Sequence, residues 1–140
     1  MNFKVAERYL RKVLNEGFGL DYEYEYGDDH LLAKHSINVN GLQGSAYSII
    51  RVYDDNTLVF RFTFDKIDRT RETIRLANEY NENCLFLKTY IGDEYLYVEH
   101  VAFVVSEENL QEYVKGIFDE LITDKSKKYL APLCDLTYDD

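Results

Sequence analysis

The 140-residue chain has no tryptophan, one proline, two cysteines and seven glycines. So little proline and glycine leaves no room for a long flexible linker, and the whole chain is expected to fold. Cys84 and Cys134 stand far apart with no Cys-x-x-Cys pair, which excludes a dense disulfide framework and reads as two reduced, structural thiols. Cations are also scarce, 16 Lys and Arg against 26 Asp and Glu, so the net charge is −10. Phosphate backbones would be repelled, and the only basic cluster, Lys4, Arg8, Arg11 and Lys12, is modest; nucleic acid is not an expected partner. No apolar run is long enough to span a bilayer, and the start, MNFKVAERYLRKVL, alternates charged and apolar residues where a signal peptide would be uniformly apolar. The expectation is a cytoplasmic protein with no membrane partner.

What is abundant is apolar and aromatic: 46% of residues are hydrophobic, with 13 Tyr and eight Phe, enough for one domain over residues 1–140. Phe3, Ala6, Leu10, Val13 and Leu14 share a helical stripe that ends near Gly17, where glycine would supply a left-handed stop. Asp21 to Tyr26 alternates Tyr with Glu and reads as an outer strand. Strands follow over Leu31 to Asn40 and Ser45 to Tyr53. The clearest alternation then puts Leu58, Phe60, Phe62 and Phe64 inward. Asp68 is placed to cap a helix reaching Asn81 whose apolar face is Thr73, Leu76, Ala77 and Tyr80. Leu85, Leu87, Thr89 and Ile91 alternate up to Gly92-Asp93, where a type II′ turn would return the strand Glu94 to Val105. Ser106 opens a last helix with the stripe Leu110, Tyr113, Val114, Ile117, Phe118, Leu121 and Ile122. Asp124 to Lys128 reads as a polar break, Tyr129 to Leu133 as a tail that docks or exchanges with a partner subunit, and Thr137 to Asp140 as a frayed end.

Candidate chemistry is thin. His35, His100 and Cys84 could form a mixed zinc site only if their elements met, and none of them belongs to a close ligand pair. Asp28, Asp29, Asp54 and Asp55 occupy turns, which their side chains stabilise without an ion. Cys84 beside His100 could be an activated nucleophile, but a cysteine in an apolar strand is first a packing residue. Ser106 lacks a nucleophile elbow, and there is no glycine-rich phosphate loop. The expectation is no catalytic residue, no metal and no cofactor. Tyr90, Tyr95 and Tyr97 cluster on the hairpin, and tyrosine suits interfaces because a large apolar ring carries a polar tip.

Leu76-Ala77-Asn78-Glu79-Tyr80-Asn81 at a helix end, the hairpin Leu85 to Glu99 closed by Gly92-Asp93, and Val105-Ser106-Glu107-Glu108-Asn109-Leu110 at a helix start make the chain resemble the YbjN family of bacterial proteins, whose fold is that of type III secretion chaperones. Looser agreement reaches back to Leu31, and the Tyr-Glu alternation before it departs from the pattern as an added strand. The resemblance implies an antiparallel sheet with packed helices, an acidic surface, homodimers and action by binding segments of other proteins; it brings no catalytic residues. The expected fold is therefore α+β: an antiparallel sheet and three helices, in the order helix, three to four strands, helix, β-hairpin, helix. The expected function is a non-enzymatic protein-binding module of chaperone or regulatory type, homodimeric, with Tyr90, Tyr95 and Tyr97 as binding candidates. The alternative is a small-molecule-binding or hydrolytic domain with a pocket between the sheet and the last helix, using His35, His100 or Cys84.

Overall fold

The computed structural model describes residues 1–139. Helix α1, Phe3–Arg11, is capped by Asn2, whose side-chain oxygen accepts the Lys4 and Val5 amides at 3.1 and 3.2 Å. It widens into a π-helical segment, Lys12–Gly17, in which the Phe18 amide reaches the Val13 carbonyl at 2.9 Å. The left-handed residue is not Gly17 but Gly19, at φ +69°, because the widened turn delays the stop.

Six antiparallel strands follow in one sheet of order β1-β2-β3-β4-β6-β5: β1 Glu23–Tyr26, β2 His30–Ile37, β3 Ala46–Tyr53, β4 Thr57–Lys66, β5 Lys88–Gly92 and β6 Tyr95–Phe103. The tyrosine-rich β1 is the outer strand that its alternation predicts. One face is buried throughout: Leu31, Ala33 and Ile37 of β2, Ala46, Ile50 and Val52 of β3, Leu58, Phe60, Phe62 and Phe64 of β4, and Leu96 and Val98 of β6. Each Val, Leu, Ile or Phe side chain among them contributes about 1.5–3 kcal/mol by leaving water. The helices cover this face, and the opposite face stays open. The polar Ser48 is fully buried, and the Tyr22 hydroxyl donates to its Oγ at 2.7 Å.

Helix α2, Arg71–Asn83, is capped by Thr70 rather than Asp68. Thr70 and Thr73 form a capping box: Thr70 Oγ1 accepts the Thr73 amide at 3.1 Å and Thr73 Oγ1 accepts the Thr70 amide at 2.8 Å. Asp68 is left to accept from Tyr138. The β5–β6 hairpin forms, but its turn is Asp93-Glu94 at φ +49° and +71°, a type I′ turn, while Gly92 closes the ladder opposite Tyr95. Ser106 precedes a short 3₁₀ turn, Glu107–Asn109, and its hydroxyl bonds Asn109 instead of capping a backbone amide. Helix α3 is Leu110–Leu121.

The sequence reading stops one helix short. Asp124–Cys134 is a fourth helix, α4, and the expected polar break is its first turn. Thr123 Oγ1 accepts the Ser126 amide at 3.1 Å, and Ser126 is buried against the Tyr80 hydroxyl at 3.0 Å. Leu130, Leu133 and Cys134 are buried in the chain's own core, with α4 against α2, so the tail docks on its own molecule. Thr137 and Tyr138 are tied down as well: the Tyr138 amide donates to the Lys66 carbonyl at 2.8 Å. Asp140, part of the expected frayed end, lies outside the described residues.

Candidate functional site

The hairpin arms are unequal. Pairing of β5 with β6 ends at Lys88 opposite Glu99, whereas β6 continues to Phe103 along β4. Had β5 begun earlier, Leu87, Phe86 and Leu85 would lie opposite His100, Val101 and Ala102. Instead, Glu120 of α3 draws that segment away. Its Oε1 accepts the amides of Leu85 and Phe86 at 2.9 and 3.1 Å, and its Oε2 accepts that of Leu87 at 2.9 Å. His100 Nδ1 lies 3.0 Å from the Phe86 carbonyl; a carbonyl only accepts, so this nitrogen carries the proton. Among the described residues no strand pairs with His100 to Phe103 on the side that β5 vacates.

Between this edge and α3 lies a groove of ≈ 440 Å³ lined by Phe86, His100 to Phe103, Glu112, Tyr113, Gly116 and Ile117. Its rim is apolar and exposed. Phe86, Val101, Phe103 and Tyr113 all face solvent, and Leu85 and Val105 at its margins are 81% and 80% accessible. A contiguous exposed apolar patch of this kind marks an interaction surface. Glu112 is the only carboxylate in the lining, and no Lys or Arg contributes to it.

The second surface is the uncovered sheet face. Strand alternation puts Tyr95 and Tyr97 of β6 there, opposite Lys66 and Thr63 of β4, and Tyr90 of β5 lies beside Tyr97. The Tyr90 and Tyr97 rings stack with centroids 5.2 Å apart, and Tyr95 is 6.5 Å from Tyr97. Arg61 stands over the Tyr97 ring at 5.2 Å and donates to Glu99 at 2.7 Å, the carboxylate that also accepts the Tyr90 hydroxyl. Burial first, and Glu99 second, push the Tyr90 phenol up from its ordinary range. The three tyrosines thus share one face, but not the groove.

Residues 18–123 match the family model of YbjN, described as "Putative bacterial sensory transduction regulator". The chain belongs to the YbjN family. No curated protein matches it. The matched span holds the whole YbjN sheet, the groove and the tyrosine face; α1 and α4 lie outside it. The regulatory description applies at the level of the family.

In this YbjN chain the three polar residues proposed for an active site do not share the groove. His35 sits on β2 opposite Ser48, with its ring 5.3 Å from that of Tyr22, and two strands separate it from His100. Cys84 closes α2 against Tyr80, and burial pushes its thiol up, away from the reactive thiolate. Only His100 lines the groove. No group of three or more His, Cys, Asp or Glu side chains among the described residues is placed to hold a metal. No helix among them is long and apolar enough to cross a membrane. Sequence reasoning missed Glu120, Phe86, Val101, Phe103 and Glu112. The unbroken run Val101-Ala-Phe-Val-Val105, apolar where an exposed strand should alternate, was the signal that could have found the edge.

Proposed function

We propose that this YbjN protein is a non-enzymatic, cytoplasmic protein-binding module of chaperone or regulatory type, and that the groove between β6 and α3 receives an apolar segment of its partner. The observation that carries this reading is the exposed rim of Phe86, Val101, Phe103 and Tyr113. The groove's volume falls in the range of about 300–1,000 Å³ typical of small-ligand pockets, but such pockets gather convergent polar groups. Here the titratable lining is His100, already engaged by the Phe86 carbonyl, Glu112 and the half-exposed Tyr113, set in a wall that is otherwise apolar. The likeness to type III secretion chaperones belongs to the same proposal; the order helix, four strands, helix, hairpin, helix supports it, and α4 is an addition to that order.

Affinity capture with the wild-type chain and with Phe103→Glu tests it. Phe103 is exposed, so the variant should keep its urea midpoint within about 0.5 kcal/mol of the wild type's stability. Loss of the captured partners is expected; unchanged recovery with a folded variant would remove the groove from the function. The homodimer is proposed for the other surface, because Tyr90 and Tyr95 are 38% and 36% exposed on a face that no helix covers. Sedimentation velocity of Tyr95→Ala/Tyr97→Ala against wild type tests that surface. A wild-type monomer at every concentration would eliminate it.

A further inference from the structure

We infer that the β6 edge at His100 to Phe103 is the seat of an added seventh strand, supplied by an extended segment of a partner protein that is apolar at alternate positions and carries a Lys or Arg against Glu112. The inference rests on the protein-binding reading and names its geometry. Two independent features meet at one place. The first is the vacated ladder: β5 stops at Lys88 while β6 runs on, and the chain that could have continued the ladder is held on Glu120 by three backbone amides. A strand edge with nothing paired to it is a template for another chain, and backbone hydrogen bonds then supply affinity that is independent of sequence.

The second feature is what flanks that edge. Side chains of β6 alternate between the two faces, so His100 and Ala102 look toward α3 while Val101 and Phe103 look toward the open face, and all four line the groove. A strand laid beside them would likewise send alternate side chains to both sides. One set would contact Phe86, Tyr113 and Ile117, and the other would lie beside Val101 and Phe103. An inserted helix could not satisfy the vacated backbone groups, because its own are already paired.

Charge selects the occupant. The groove holds a carboxylate, Glu112, with no Lys or Arg in its lining, on a chain of net charge −10. A second copy of the chain would bring acid against acid, whereas a segment with a Lys or Arg near its apolar run is complementary.

The test uses the full chain and an array of extended peptides of about six residues, the usual strand length. The peptides carry Val, Ile or Phe at alternate positions and Lys or Glu between them. Three results are expected: Lys-bearing members bind, Glu112→Lys shifts the preference to Glu-bearing members, and N-methylation of alternate amides in the strongest peptide weakens it about tenfold, the loss of one or two backbone hydrogen bonds. Hydrogen exchange should slow at His100 to Phe103 in the complex. If N-methylated peptides bind unchanged, or if no array member binds while Phe103→Glu still abolishes partner capture, strand addition is overturned and the groove reading survives. If Phe103→Glu leaves capture intact, that reading fails instead. A dimer that buries this edge in place of the peptide would also overturn the inference.

Discussion

At the scale of single residues, Glu120 does two things with one carboxylate. It satisfies three amides that leave α2 with no strand to pair with, and it fixes where β5 begins. Charge-assisted bonds of this kind are stronger than neutral ones, and the Leu87 amide sits on a buried residue where water is a poor substitute. Glu120→Ala should therefore cost about 1–3 kcal/mol in urea unfolding and speed amide exchange at Leu85 to Leu87. An unchanged midpoint together with unchanged exchange would show that the segment is held by something else. None of this is visible in sequence, because Glu120 stands 35 residues from Leu85 and looks like one more solvated acid on a helix.

At the scale of elements, most of the sheet was legible and its exceptions have physical causes. Leu58, Phe60, Phe62 and Phe64 alternate in sequence and are all buried in β4, because one face of a pleated strand decides the pattern locally. Leu85 obeys the same alternation yet is 81% exposed, because a contact from α3 overrides it. Helix α4 was missed for a different reason. Its first turn is Asp-Lys-Ser-Lys-Lys, with Pro132 farther on, and a polar start hides a helix whose buried contacts are only Ser126, Leu130, Leu133 and Cys134. The apolar groove was missed because its residues come from three separate segments and meet only in the fold. Since α4 packs on α2 of its own chain, Leu133→Ala should destabilise the protein by about 2–5 kcal/mol in chemical unfolding at every protein concentration. A penalty that fades on dilution would mean that the tail is exchanged between copies.

At the scale of the whole molecule, several buried acids keep their protons in the fold. Burial pushes the Cys134 thiol up to about 12 from an ordinary value of 9.0. It pushes Tyr22 up to about 12 from 10.0 against the opposing bond from Ser48, and Tyr24 and Tyr80 also rise. Above pH 9 the unfolded chain releases protons that the folded chain retains, so stability is complete below that point and falls as pH rises toward 12. Each such group contributes a slope of about 1.4 kcal/mol per pH unit within its window. Urea midpoints should be flat up to about pH 9 and then decline, with Cys134→Ala flattening the first part of the decline, before the phenols titrate. A flat profile through pH 11 would show these groups to be solvated.

The vacated length of β6 carries a liability as well as an opportunity. β6 ends at its unpaired edge with Val101 to Phe103 and runs on into Val104 and Val105, a short, uncharged, proline-free apolar stretch of the kind that seeds aggregation once copies can approach. At this edge a net charge of −10 on each copy opposes pairing, and that repulsion vanishes near the pI of 4.7. Turbidity should therefore peak close to that pH, and Val101→Lys, a gatekeeper charge on the strand, should delay its onset. If Val101→Lys clouds as fast as the wild type, precipitation begins on another surface. The acidity of this chain thus does the work that a covering strand does in other sheets.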